Sequence, residues 1–319
     1  GKSIFLSMLR AYYDIAQKEK FEKRFSNLWI GSRPTQLQGT FQILFLDFSR
    51  VGGLDRTLAE NFDDYCCGGL DDFASIYEPY YYPGFEEEMK AQYGTTNKLN
   101  FLDRKARNNG SKLYLIVDEY DNFTNVVLNE QGDKVYHALT HASGFYREIF
   151  KKFKGMFERI FMTGVSPVTL DDLTSGFNIG WNISTDHQFN MMLGFSETDV
   201  REMIQYYKDA GQLPGNTNID AMIEEMRPWY DNYCFAEESL ERDPKMFNCD
   251  MVFYYLRHYM TLGKSPKEMI DPNTRTDYNK MKKLIRLDKL DGNRKGVLRK
   301  ITEDGQIVTT LTTTFPATD

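Results

Sequence analysis

Leu113-Tyr-Leu-Ile-Val-Asp118-Glu119-Tyr-Asp121 is the stretch on which the fold turns. Its apolar residues run without a break and end in two adjacent acids. A short run of that kind predicts a strand over Lys112 to Val117, buried in a parallel sheet. In an open α/β sheet the carboxyl end of a strand faces the crevice where ligands bind. Asp118 is therefore placed to hold magnesium through water, and Glu119 to orient and deprotonate an attacking water. The bland alternative is a pair of solvated acids opening a loop. Asp121 is read as an Asx-turn or helix cap toward Asn122 and Phe123.

Far upstream, the chain opens on Gly1-Lys2-Ser3, the closing half of the phosphate-binding pattern G-x-x-x-x-G-K-[ST]. Lys2 would set its ammonium on β- and γ-phosphate oxygens, and Ser3 would give its hydroxyl to magnesium. Alone, such a tripeptide also fits an exposed helix start. The next residues supply the context: Ile4, Leu6, Met8, Leu9, Tyr12, Tyr13 and Ile15 fall at helical spacing over Ser3 to Lys20. A phosphate loop must lead into such a helix, whose first amides and dipole face the phosphates. The loop's first glycine and the strand before it are missing, so the expectation is a piece of a longer protein.

Phe41 to Ser49 and Arg159 to Gly164 read as two further buried strands. Helices are expected over Leu54 to Cys67, Gly84 to Asn109 and Val135 to Lys154, with Asn108-Asn109-Gly110 closing the second. Tyr77 to Pro83 is read as a loop. Strands alternating with helices predict a doubly wound α/β core with right-handed crossovers. A weakly marked fourth strand is placed near Phe189 to Leu193. After Gly194 the pattern turns helical. A capping-box start at Ser196 leads into Asp199 to Ala210, followed by Asp220 to Met226, Asp250 to Leu262 and Asp277 to Leu287, with no strong strand between them. The division expected is 1–194 for the core, 195–290 for a helical lid, and 291–319 for a linker or the start of a further domain.

Other residues are weighed against this frame. Thr163, at the end of the third strand, either touches the γ-phosphate or lytic water or satisfies local backbone; the sequence leaves both open. Asp47 and Ser49, ending the first strand, either approach the site or cap the next helix, and the cap is the favoured reading. Arg159, Arg201 and Arg227 are the candidates for a transition-state arginine. His137, His141, His187 and His258 form no zinc spacing, and the four cysteines match no metal motif. The net charge of −7 argues against a whole-surface nucleic-acid binder, though a local basic groove would survive that average. No apolar run approaches the roughly 20 residues of a membrane span, and a cytoplasmic location is expected.

In this order the motifs resemble the AAA-ATPase-like family of bacterial P-loop proteins. The likeness is carried by Gly1 to Leu9, Leu115 to Asp121 and Phe161 to Ser166. Further along it is carried by Ser175-Gly-Phe-Asn178, Leu193-Gly-Phe-Ser196, Trp229-Tyr-Asp-Asn-Tyr-Cys-Phe235 and Asp271-Pro-Asn273 with Thr276-Asp-Tyr278. Asn232 stands where the family pattern has glycine. The resemblance implies an AAA-like P-loop core with a helical lid, binding ATP with magnesium and hydrolysing it. Gly1, Lys2, Ser3 and Thr163 would bind nucleotide, Ser3 and Asp118 the metal, and Glu119 with Lys2 would carry catalysis. It also implies a C-terminal PD-(D/E)XK-type nuclease domain, expected beyond Asp319. A nucleotide-dependent switch with little hydrolysis, a pure interaction module and a kinase are the alternative readings.

Overall fold

The computed structural model describes residues 1–51, 57–121, 145–164, 181–242, 245–272 and 303–305. Its contacts divide into two compact units, one within Lys2–Gly180 and the other within Trp181–Leu311.

The first unit is built on three parallel strands in the order β1 (Phe41–Asp47), β2 (Lys112–Asp118) and β3 (Arg159–Met162). Alternation along each strand sends its apolar residues to opposite faces. Leu44 and Leu46 of β1 and Leu113, Leu115 and Val117 of β2 pack in one cluster with α3 (Leu58–Tyr77), α4 (Phe85–Lys90), α5 (Gly94–Asn109) and α6 (Phe145–Met156). Phe41, Ile43, Tyr114 and Ile116 face the other way, against Leu6 of α1 (Lys2–Tyr13). A short α2 (Phe21–Phe25) follows α1. Helices on both faces of a parallel sheet make this an α/β core.

Several boundaries differ from the periodicity, each for a local reason. The helix expected from Leu54 begins at Leu58, where Thr57 and Glu60 close a capping box. It then continues to Tyr77, because Phe62, Cys66, Leu70 and Phe73 keep one face in the core. The tyrosine stretch expected as a loop opens as a 3-10 turn over Glu78–Tyr80. The helix expected over Gly84 to Asn109 is two. Gly94 takes a φ of 75°, and Asp63 of α3 accepts from Thr95 N at 2.9 Å, capping α5 from outside its own segment. Gly110 ends α5 in the left-handed region, as its sequence predicts.

The second unit is helical. Ser196 and Asp199 form a capping box at the start of α7 (Glu197–Asp209). α8 (Ile219–Tyr230) and α9 (Cys249–Leu262) start on Asn218 and Asn248 caps. Val200, Ile204, Met222, Ile223, Met226, Tyr230, Val252 and Tyr255 form its core. Between α8 and α9 runs a short antiparallel pair, β4 (Asp231–Tyr233) and β5 (Met246–Phe247), that periodicity does not predict. The strand expected near Phe189 is instead a 3-10 turn, His187–Phe189, whose start Asp186 caps by accepting from Gln188 N. The expected helices at Asp277 to Leu287 and over the first half of Val135 to Lys154 lie outside the described residues. So do most of 291–319, the Ser175 to Asn178 stretch, and His137 and His141. Among the described residues no helix is long and apolar enough to cross a membrane.

Candidate active site at the strand ends

The register of the sheet brings the chemistry together. Asp118 closes β2 on the α1 side of the sheet, and Ser3 in the first turn of α1 donates its hydroxyl to Asp118 Oδ2 at 3.1 Å. The other carboxylate oxygen accepts from Thr163 Oγ1 at 2.6 Å and from the backbone N–H of Glu119 at 3.0 Å. Asp118 is buried, 5% exposed, so these donors are what make its charge tolerable there. Thr163 is thus bonded to the acid itself, a third arrangement beside the two that sequence left open.

Glu119 is the surprise. In a strand that simply continued, its side chain would point to the face opposite Asp118. Instead its φ is 51°, making it the one non-glycine residue with positive φ among those described. The strand breaks there, and the carboxylate comes round to Lys2, with Nζ to Oε1 at 3.0 Å. A tight exchange of backbone bonds supports this turn: Thr163 N donates to Val117 O and Tyr120 N donates to Thr163 O. Lys2 also donates to the Gly164 carbonyl at 3.1 Å.

Gly164 has to be glycine for reasons of space. A Cβ there would lie 2.5 Å from Asp121 Oδ1 and 2.6 Å from a Tyr120 ring carbon. Asp121 is fully buried against this corner, and the residues it was expected to cap lie outside the described set. Tyr146 of α6 donates to Tyr120 O at 2.6 Å, pinning the chain just past the acids, and burial pushes the Tyr120 phenol up. Sequence reasoning missed both Gly164 and Tyr146 as supports of this corner. The Thr-Gly pair at a strand end was the available signal for the first; nothing local marks the second.

The donor set suits a hard divalent cation. Ser3 Oγ and Asp118 Oδ2 stand 3.1 Å apart, close to the ~2.9 Å between adjacent oxygens on an octahedral ion with bonds of about 2.0–2.1 Å. Gly1 precedes α1 and is exposed. Among the described residues no group of three or more His, Cys, Asp or Glu side chains could hold a metal by itself, and all four cysteines are free.

The remaining candidates fall elsewhere. Arg159 begins β3, at the end of the strand away from Thr163, and donates to the Glu158 carbonyl. Arg201 and Arg227 belong to the helical unit. There Arg227 meets Glu197, Glu224 and Asp231 at 2.8, 3.1 and 3.0 Å, and Arg201 meets Glu197 and Asp220. Asp47 accepts from Ser49 N and Arg50 Nε, so it caps the turn after β1. His187 lies beside Asp186, and His258 Nδ1 meets the Lys264 carbonyl.

An α/β core with a lysine, a hydroxyl and two acids gathered at its strand ends is the arrangement of a P-loop nucleotide-binding protein. Residues 1–174 match the model of the AAA-ATPase-like family, described as Predicted AAA-ATPase, and the chain belongs to that family. The later stretches, Trp229 to Phe235 among them, lie past the matched residues. No curated protein and no solved structure matches the chain.

Proposed function

We propose that this chain is an ATP-binding, magnesium-dependent ATP-hydrolysing module that passes its nucleotide state to an appended effector, such as a nuclease domain, or to a partner. One observation carries the reading: Lys2, Ser3, Asp118, Glu119 and Thr163, drawn from three separate elements, meet through contacts of 3.1 Å or less. Family membership supports nucleotide binding; the division of labour among the residues is our assignment.

Gly1, Lys2 and Ser3 would face the phosphates, with the Lys2 ammonium on β- and γ-oxygens. Ser3 and Asp118 would hold magnesium, which when bound neutralises charge on the β- and γ-phosphates. Thr163 would hold Asp118 in its aim, and Glu119 would take the proton of the attacking water. In the same reading residues 1–194 form the nucleotide core, 195–290 act as its lid, 291–319 lead onward, and the protein works in the cytoplasm. A switch with little turnover is the second reading, favoured by one contact: Glu119 is already engaged by Lys2.

Titration with a fluorescent ATP analogue and magnesium tests the site. Binding that Lys2→Ala weakens by about ten- to a hundredfold is expected from the loss of a charged hydrogen bond. An unaltered affinity would remove Lys2 from the site. ATP turnover by the wild type separates the motor from the switch.

A further inference from the structure

Lys2 is held from two sides, by Glu119 Oε1 at 3.0 Å and by the Gly164 carbonyl at 3.1 Å. Neither holder comes from ordinary strand-end backbone. Glu119 reaches the lysine only through a φ of 51°, and Gly164 approaches Asp121 and Tyr120 so closely that no side chain fits. In a glutamate such a conformation is strained and persists only where the surroundings over-determine it. Here they do, through the Tyr120–Thr163 and Thr163–Val117 backbone bonds.

The pairing sets two demands against each other. The lysine that a triphosphate requires is the partner of the acid that the attacking water requires. We infer that Glu119 and the Gly164 carbonyl are positioning residues that hold Lys2 at rest, and that an arriving triphosphate takes Lys2 away from Glu119. This rests on the ATP reading above and gives Glu119 a second role, that of setting nucleotide affinity. An ammonium has three donors, and at rest two are spent on protein oxygens. Phosphate oxygens, carrying more charge than one carboxylate, displace the acid, and the displaced carboxylate turns to water. Arrival of the γ-phosphate and release of the base then form one event.

The test is a double-mutant cycle. Wild type, Glu119→Gln, Lys2→Ala and the double variant are titrated with a fluorescent ATP analogue and magnesium. Glu119→Gln is expected to bind about fivefold tighter, the size one partly exposed ion pair can carry. That gain should vanish in the Lys2→Ala background. Plain repulsion between carboxylate and phosphate would instead tighten both backgrounds alike. Equal gains, or no gain, overturn the resting pair and leave the nucleotide site standing. A wild type that binds no nucleotide overturns the ATP reading and this inference together. If Lys2→Ala binds too weakly to titrate, nucleotide-free unfolding of the same four proteins closes the cycle. A coupling of about fivefold in the unfolding constant is expected there, and zero coupling refutes the pair.

Discussion

Among the described residues, two clusters of paired charge resemble one another in composition and differ in construction. In the helical unit, Arg227 meets three carboxylates and Arg201 shares Glu197 with it. Most of these pairs sit three or four residues apart along the chain, the spacing a helix makes adjacent by its own geometry. In the α/β unit, Lys2 meets Glu119 from a distant element, across a residue with φ of 51°. The first cluster needs nothing unusual from its backbone and is the fabric of a helix surface. The second needs a broken strand, a glycine with no room for a side chain, and a threonine bonded to a buried acid. Strain of that kind persists where the surroundings over-determine it, and it is the reason we propose the chemistry at the strand-end cluster.

The contrast between the clusters is most open to test at Glu119. In a steady-state ATPase assay, Glu119→Gln should lose about 10²–10⁴ in turnover, the usual worth of a positioned general base. An unchanged rate would place this cluster beside that of Arg227 as fabric. Next in size is Thr163→Val, which keeps the shape and removes the donor to Asp118. It should lower stability by about 2 kcal/mol, because a buried carboxylate is left short of a partner. Denaturant midpoints measure this, and a neutral result would mean that Thr163 does not hold Asp118 in place.

Arg227→Ala should cost about 1.5 kcal/mol, since the Glu197 and Glu224 side chains are exposed while that of Asp231 is buried, and should leave turnover alone. A loss on the order of a thousandfold would make Arg227 an arginine finger and dissolve the contrast.

The smallest effect is a difference in pH slope. Hydrogen bonds from Arg227, then Arg201, hold Glu197 below the ordinary glutamate value. Its contribution is therefore present above that value and lost as pH falls through the lowered one. Asp14 of the α/β unit is pushed up by burial, which outweighs its bonds from Ala16 N and Tyr77. Its contribution is present below the ordinary aspartate value and lost as pH rises through the raised one. Hydrogen exchange followed across the acid range in each unit should show Glu197→Gln flattening one slope and Asp14→Asn flattening the other. Identical slopes before and after substitution would remove this distinction.

Much of the first unit is legible in the sequence because its signals are local. Largely apolar runs mark β1, β2 and β3, Gly110 closes α5, and the Ser196 capping box opens α7 of the second unit. Where sequence and structure part, the deciding contact comes from elsewhere in the chain. Asp63 caps α5 across a gap that no helical period reveals, and β4 exists because Met246 and Phe247 return to pair with it. The strand expected near Phe189 gives way to a turn under the Asp186 cap.

At the site the same division holds. Composition and period are enough to say which groups are present and at which strand ends they lie, because buried strands and phosphate-loop helices announce themselves locally. That Glu119 turns back to Lys2, that Thr163 bonds Asp118, and that Gly164 has no room for a Cβ are outcomes of the assembled fold. They depend on hydrogen bonds between β2 and the end of β3. Such long-range bonds can hold a residue against its own backbone preference, and no local pattern encodes them.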